Sequence, residues 1–208
     1  MVAPISILIA DDHPIVREGL TALLGSYPEI TVVAQAKNGR EAIELFLKHR
    51  PDVGLVDLNM PEIDGIDAII AIRRELPNAR LIVLTTFDSV EDVYRVMRAG
   101  AKAYLMKDIP PDELVACLRA VYHGQTVMSP LMTAKLVERM NLPALTPREL
   151  EVLGYLASGD SNKEIANTLC VAEGTIKTHI VAILRKLDAS DRTQAVTIAL
   201  KRGLLKLD

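Results

Sequence analysis

The sequence predicts a doubly wound α/β domain with a five-stranded parallel sheet, followed by a small all-α domain. Three observations carry this. Short apolar runs alternate five times with amphipathic helical segments over residues 1–124. Several of those runs end in Asp, Thr or Lys, which places polar groups at one edge of the sheet. Beyond residue 145 no strand-like run recurs, and only helical periodicity remains.

The first strand is Ile5-Ser6-Ile7-Leu8-Ile9-Ala10, which runs straight into Asp11-Asp12. The helix after it places Val16, Leu20, Leu23 and Leu24 on one face. A second strand spans 30–34. The next helix opens at Asn38-Gly39-Arg40-Glu41, an N-cap with a Glu positioned to close a capping box, and ends before Pro51. The third strand, 53–57, is a continuous apolar run ending in Asp57, as expected of a strand buried on both faces. Gly54 inside it marks a close approach by a neighbour. A third helix follows Asp64-Gly65, and a fourth strand covers 81–85. The fourth helix runs from about 88 to 99 and stops at Gly100. The fifth strand is 103–106, and the fifth helix starts after Pro110-Pro111 and stops near Gly124.

Residues 125–144 read as a linker with one helix, opened by Ser129-Pro130. Residues 145–208 are helical throughout. Thr146-Pro147-Arg148-Glu149 combines an N-cap Thr, Pro at N1 and Glu at N3. Ser161-Asn162-Lys163-Glu164 starts a short helix, and Cys170-Val171-Ala172 separates it from a longer one over 173–187. Asp191 caps the last helix, which Gly203 terminates. A short helix, a tight turn and a longer helix form a helix-turn-helix, whose second helix can enter the DNA major groove.

Composition bounds the possibilities. The chain has 208 residues, 50% hydrophobic and 3% aromatic with no Trp, so the core is aliphatic. Net charge is −3, which does not announce nucleic acid. Residues 142–208 nevertheless hold nine basic against eight acidic side chains, so the acidic excess lies in the first part. Cys117 and Cys170 have neither CxxC nor zinc-like spacing and are expected to be buried thiols. No apolar run is long enough to span a bilayer, and a cytoplasmic location without a membrane partner is expected.

If the strands ending in Asp11-Asp12 and in Asp57 are neighbours, three carboxylates converge. One Asp after a strand is most often a cap or turn residue. Three at one sheet edge repel by several kcal/mol and call for a cation, and Mg²⁺ suits oxygen ligands where phosphate is handled. Thr85 and Lys107 end the fourth and fifth strands and join the same edge.

The set Asp11, Asp12, Asp57, Thr85 and Lys107, with Tyr104 three before the Lys, resembles the receiver domain of two-component response regulators. Leu145-Thr146-Pro147-Arg148-Glu149, Asn162-Lys163-Glu164-Ile165-Ala166, Glu173-Gly174-Thr175-Ile176-Lys177-Thr178-His179 and Arg192-Thr193-Gln194-Ala195 resemble the LuxR-type helix-turn-helix. The whole chain is similar to NarL/FixJ-type response regulators. The receiver would then have a flavodoxin-like strand order. The resemblance implies that Asp57 is the phosphoacceptor, with Mg²⁺ held by Asp12, Asp57, the Asn59 carbonyl and a water on Asp11. It implies that Lys107 and Thr85 bind the phosphoryl group and that Tyr104 follows Thr85 inward. It implies that Lys177 and Thr178 contact bases, with His179, Lys163, Thr175 and Arg185 nearer the DNA backbone. Phe87 and Asn59 flank the path of the hydrolytic water and are expected to tune dephosphorylation. Implied partners are a sensor histidine kinase, double-stranded DNA, a second copy on activation, and RNA polymerase. No enzyme activity is implied beyond self-phosphorylation from a phosphodonor and slow autodephosphorylation. A phosphatase of the α/β class and a receiver working as a phosphate-independent docking module are the competing readings.

Three departures stand out. Ala172 occupies the position of a capping Ser or Thr, and Val181 a position that is basic in some relatives. Lys107-Asp108 replaces the family's Lys-Pro, whose bond is cis, and its geometry stays open.

Overall fold

The sheet order β2-β1-β3-β4-β5, all parallel, brings the ends of β1 and β3 together. A computed structural model of the chain describes residues 4–86, 90–140, 143–202 and 204–205. Contacts group the chain into two units, Met1–Ala134 and Lys135–Asp208.

The first unit follows the alternation in the sequence. Its strands are β1 (Ile5–Ala10), β2 (Ile30–Ala36), β3 (Val53–Val56), β4 (Leu81–Thr85) and β5 (Ala103–Met106). Its helices are α1 (Pro14–Gly25), α2 (Gly39–His49), α3 (Gly65–Glu75), α4 (Val90–Ala99) and α5 (Pro111–Tyr122). Strand order reverses direction between β1 and β3, the switch point at which open α/β sheets bind ligands. β2 runs two residues past the expected end because it stays paired with β1 as far as Ala10 opposite Ala36. Residues 88 and 89, assigned to the fourth helix from sequence, lie outside the described residues.

Ile7, Ile9, Leu55 and Ile82 from the sheet pack with Leu114, Leu118 and Val121 of α5. Gly54 answers to close packing on the other face. A Cβ there would lie 2.8 Å from Leu81 Cδ2 and 2.9 Å from the Phe46 ring. Asn38 caps α2 by accepting from Glu41 N at 2.8 Å. The expected capping box does not close on Asn38, because the Glu41 carboxylate reaches one residue further and accepts from Lys37 N at 3.1 Å.

The second unit holds α7 (Pro147–Ser158), α8 (Asn162–Thr168), α9 (Glu173–Leu187) and α10 (Arg192–Lys201), while α6 (Pro130–Met140) straddles the division. Two capping boxes form as the sequence predicts, Thr146 with Glu149 and Ser161 with Glu164. Gly159 ends α7 at φ 90°, a conformation that costs glycine little. Gly203 lies outside the described residues. Val152, Leu153, Leu156, Ile165, Ile176, Ile183 and Leu187 form the core. Arg192 clasps it by donating to the carbonyls of Leu156 and Asp160.

One expectation is corrected. Cys117 is buried, and burial pushes its thiol up to about 11, but Cys170 is exposed. Cys170 sits in the α8–α9 turn at φ 52° and is exposed despite apolar sequence neighbours. No peptide bond among the described residues is cis, so Lys107–Asp108 is trans. No described helix is long and apolar enough to cross a membrane.

Candidate functional site

β1 and β3 end side by side, and Asp57 N donates to Ala10 O at 2.8 Å, which fixes Asp57 beside the Asp11-Asp12 pair. Gly65 lets α3 start against this backbone. A Cβ on Gly65 would meet the Asp57 carbonyl oxygen at 2.1 Å, a contact no other residue could accept without displacing Asp57. Asp11, Asp57 and Thr85 are buried, Asp57 with only 4% exposure. From the end of β5 the Lys107 side chain, 12% exposed, reaches across. Its Nζ lies 2.7 Å from Asp11 Oδ2 and 3.0 Å from Asp57 Oδ2. The backbone holds it there through Lys107 N donating to Thr85 O at 2.8 Å.

Burial pushes the Asp57 carboxyl above its ordinary value; Lys107 opposes this, and the neighbouring Asp11 charge adds to it. Burial also works against the Lys107 ammonium, but its hydrogen bonds to Asp11 and Asp57 outweigh that and hold its pKa above the ordinary value. One ammonium thus bridges two carboxylates, Asp11 and Asp57, with Asp12 beside them.

The sequence reading missed His13. Its Nδ1 lies 2.7 Å from Asp12 Oδ1, and its backbone N donates to Asp11 Oδ1 at 2.9 Å. Asp11, Asp12, His13 and Asp57 offer donor atoms all within 4.8 Å of one another. Asp12 Oδ1 is buried yet accepts no hydrogen bond, since the nearby imidazole lacks hydrogen-bond geometry. A buried carboxylate oxygen that accepts no hydrogen bond, among hard oxygen donors, fits a divalent cation such as Mg²⁺. Asn59 lies exposed two residues past Asp57, and Tyr104 is only 5% exposed, so its ring already lies inward. Phe87 lies outside the described residues.

These charges predict a metal response. Asp57's pKa is raised in the folded state, so its ionisation removes stability as pH rises from the unfolded-state value through the folded one. At neutral pH without metal, Asp57→Asn is therefore expected to raise the melting temperature by a few degrees. Mg²⁺ should raise the wild-type temperature, because a ligand of the folded state stabilises it, and should lose most of that effect on Asp57→Asn. Calorimetry with and without EDTA reads both; equal Mg²⁺ shifts in the two proteins would take Asp57 out of the metal site.

The second unit presents a polar face on α9. Ile176, Ile183 and Leu187 point inward, while Lys177, Thr178, Val181 and Arg185 are exposed. Lys163 and Thr175 are also exposed, and His179 is half-buried. Lys177 Nζ rests 2.9 Å from Glu173 Oε1, and Thr178 Oγ1 donates to Gly174 O at 3.0 Å. Ala172 supplies no side-chain cap. Lys186, which the sequence reading passed over, turns inward and donates to Glu149 Oε2 at 2.7 Å and Ala144 O at 3.1 Å.

Both units match known protein families. The response regulator receiver domain family matches residues 7–119, and the luxR family of bacterial regulatory proteins matches residues 143–199. The chain belongs to the transcriptional response regulators that join a receiver domain to a LuxR-type helix-turn-helix. It is 42% identical over 209 residues to the transcriptional regulatory protein LiaR of Bacillus subtilis, covering 97% of this chain and 99% of that one. It is 36% identical over 208 residues to the response regulator protein VraR of Staphylococcus saprophyticus, covering 98% of this chain and all of that one. Among solved structures it resembles the response regulator ChrA of a heme-sensing two-component system at 36% identity and TM-score 0.57, with 98% and 100% of the chains covered. It also resembles an RcsB–DNA complex at 27% identity and TM-score 0.73, with 95% and 98% covered. The receiver implies a sensor kinase as partner, and the LuxR-type domain binds DNA.

Proposed function

We propose that phosphorylation of Asp57 switches this regulator into a DNA-binding dimer. The observation that carries the reading is the Lys107 ammonium held between the Asp11 and Asp57 carboxylates at the sheet edge. Residues 1–124 form the phosphoacceptor domain, 125–144 the linker and 145–208 the output domain. An Asp57 carboxylate oxygen attacks the phosphorus of a phosphohistidine or small phosphodonor; the new O–P bond forms as the donor's bond to phosphorus breaks, and the leaving group takes that electron pair. Lys107 moves from a carboxylate to a phosphoryl oxygen, and the Thr85 hydroxyl bonds another. Asp11, Asp12, Asp57 and the Asn59 carbonyl would hold a Mg²⁺ ion, which would supply positive charge to offset the carboxylates and the phosphoryl oxygens. Water later attacks phosphorus and restores the carboxylate, at a rate tuned by Phe87 and Asn59. Beyond these two reactions at its own Asp57, the protein turns over no substrate.

Tyr104 and Thr85 couple the site to the face of α4, β5 and α5, a two-state element that phosphorylation biases. Two copies then present α9 to paired half-sites, with Lys177 and Thr178 at base edges and Lys163, Thr175, His179 and Arg185 near the phosphates. The protein acts in the cytoplasm and communicates with RNA polymerase.

Fluorescence anisotropy on DNA selected by the phosphodonor-treated chain tests this. Phosphodonor should tighten binding by the wild type and leave Asp57→Ala unchanged. Full-strength binding by Asp57→Ala would overturn phosphate gating in favour of a docking module. Lys177→Ala should weaken binding by about 1–3 kcal/mol, the worth of a base-edge contact. Its melting temperature should hardly move, because Lys177 is exposed and opposite the buried face. Unchanged affinity would remove Lys177 from the interface.

A further inference from the structure

Val181 is an apolar residue on a charged face. Its side chain is 66% exposed, and no other large apolar side chain among the described residues of α7–α10 is exposed. A solvated helix face gains nothing from a β-branched residue, which forms helix less readily than Lys or Arg. Lys177 precedes it by one turn and Arg185 follows by one turn, both exposed. Thr178, three residues earlier, spends its hydroxyl proton on Gly174 O at 3.0 Å, so its methyl stays available to a partner. Thr178 and Val181 therefore form a narrow apolar strip between two cations. A DNA major groove matches that arrangement. Phosphates flank it, and the thymine 5-methyl is the apolar group that base pairs display there.

We propose that Val181 is a specificity-determining residue that packs on the 5-methyl group of a thymine in each half-site. The inference rests on the reading of α9 as the DNA-reading helix. It explains what Val offers where a basic residue would offer only another contact to phosphate or guanine: a preference for a methyl-bearing base.

The test uses the full chain, treated with phosphodonor, and the duplex it selects from random DNA. Each thymine is replaced in turn by deoxyuridine, which keeps every hydrogen-bonding group and drops only the methyl. At one thymine per half-site the wild type should lose about three- to fivefold in affinity, the effect of unburying one methyl group. Val181→Ala, which removes both γ-methyls and shortens the reach into the groove, should bind the thymine and uracil duplexes nearly equally at that position, whereas Val181→Thr, which keeps one γ-methyl, should retain the penalty. A uracil penalty of the same size in wild type and Val181→Ala at every position would overturn the proposal. So would a Val181→Ala protein that loses self-association while its uracil penalties persist, since Val181 would then face a second copy. If Lys177→Ala binds as tightly as wild type, the reading of α9 itself fails, and the proposal fails with it.

Discussion

Exposure of the full chain to acetyl phosphate or phosphoramidate with Mg²⁺ is expected to add one phosphoryl group, on Asp57, and none to Asp57→Ala. Three carboxylates share the pocket, so the selectivity needs a reason. Asp11 has both oxygens engaged, Oδ1 by His13 N at 2.9 Å and Oδ2 by Lys107 Nζ at 2.7 Å. Asp12 leaves Oδ1 without a hydrogen bond, a position better suited to a cation than to attack on phosphorus. Asp57 meets Lys107 through Oδ2 alone, and the ammonium at 3.0 Å stands where charge develops on the phosphoryl group. Intact-mass measurement reads the effect as all or none. Borohydride reduction, which converts an aspartyl phosphate to homoserine, locates it. Equal labelling of Asp57→Ala would sink the assignment and move the chemistry to a neighbouring carboxylate.

Lys186→Met should cost the helical unit about 3 kcal/mol, the scale for removing one partner of a buried ion pair. Lys186 and Glu149 are 15% and 7% exposed, and their atoms meet at 2.7 Å. The Glu149 carboxylate also accepts from Thr146 N at 2.6 Å, so the lost ammonium leaves a buried charge that still holds the cap of α7. Hydrogen exchange of the α7 and α9 amides in the full chain reads the loss locally, while α1 to α5 should exchange as before. Adding Glu149→Gln should recover part of it by removing the unpaired charge. The pH dependence has a definite sign. Burial pushes the Glu149 pKa up, but Lys186 and Thr146 outweigh this and hold it below its ordinary 4.5. The pair's stabilisation is therefore complete above that unfolded value and is lost as pH falls through the folded one. Wild type and Lys186→Met should converge in stability in acid. Protection of α7 and α9 that is unchanged at neutral pH would mean that the pair contributes no more than a surface contact.

The sequence alone determined the features that repeat at short range. Buried parallel strands read as apolar runs, so β1, β3, β4 and β5 were legible, and so were the polar residues at their ends that make the pocket. Capping boxes span three residues, so Thr146 with Glu149 and Ser161 with Glu164 were legible too. The α9 face followed from its buried spacing, which left Lys177, Thr178, Val181 and Arg185 outside. Only the tertiary structure decided what depends on groups meeting through space. Glu149 and Lys186 lie 37 residues apart, and no local pattern marks Lys186 as the one lysine of α9 that turns inward. His13 joins the pocket because the chain leaving β1 passes the end of the neighbouring β3, and Cys170 is exposed in a turn where it takes a left-handed backbone. Glu41 closes on Lys37 rather than Asn38 for a reason of the same kind, the exact path of the chain entering α2. Periodicity records which face of an element is buried, because burial acts on every residue of that face. A single polar contact is set by the register between elements, and that register exists only once they pack.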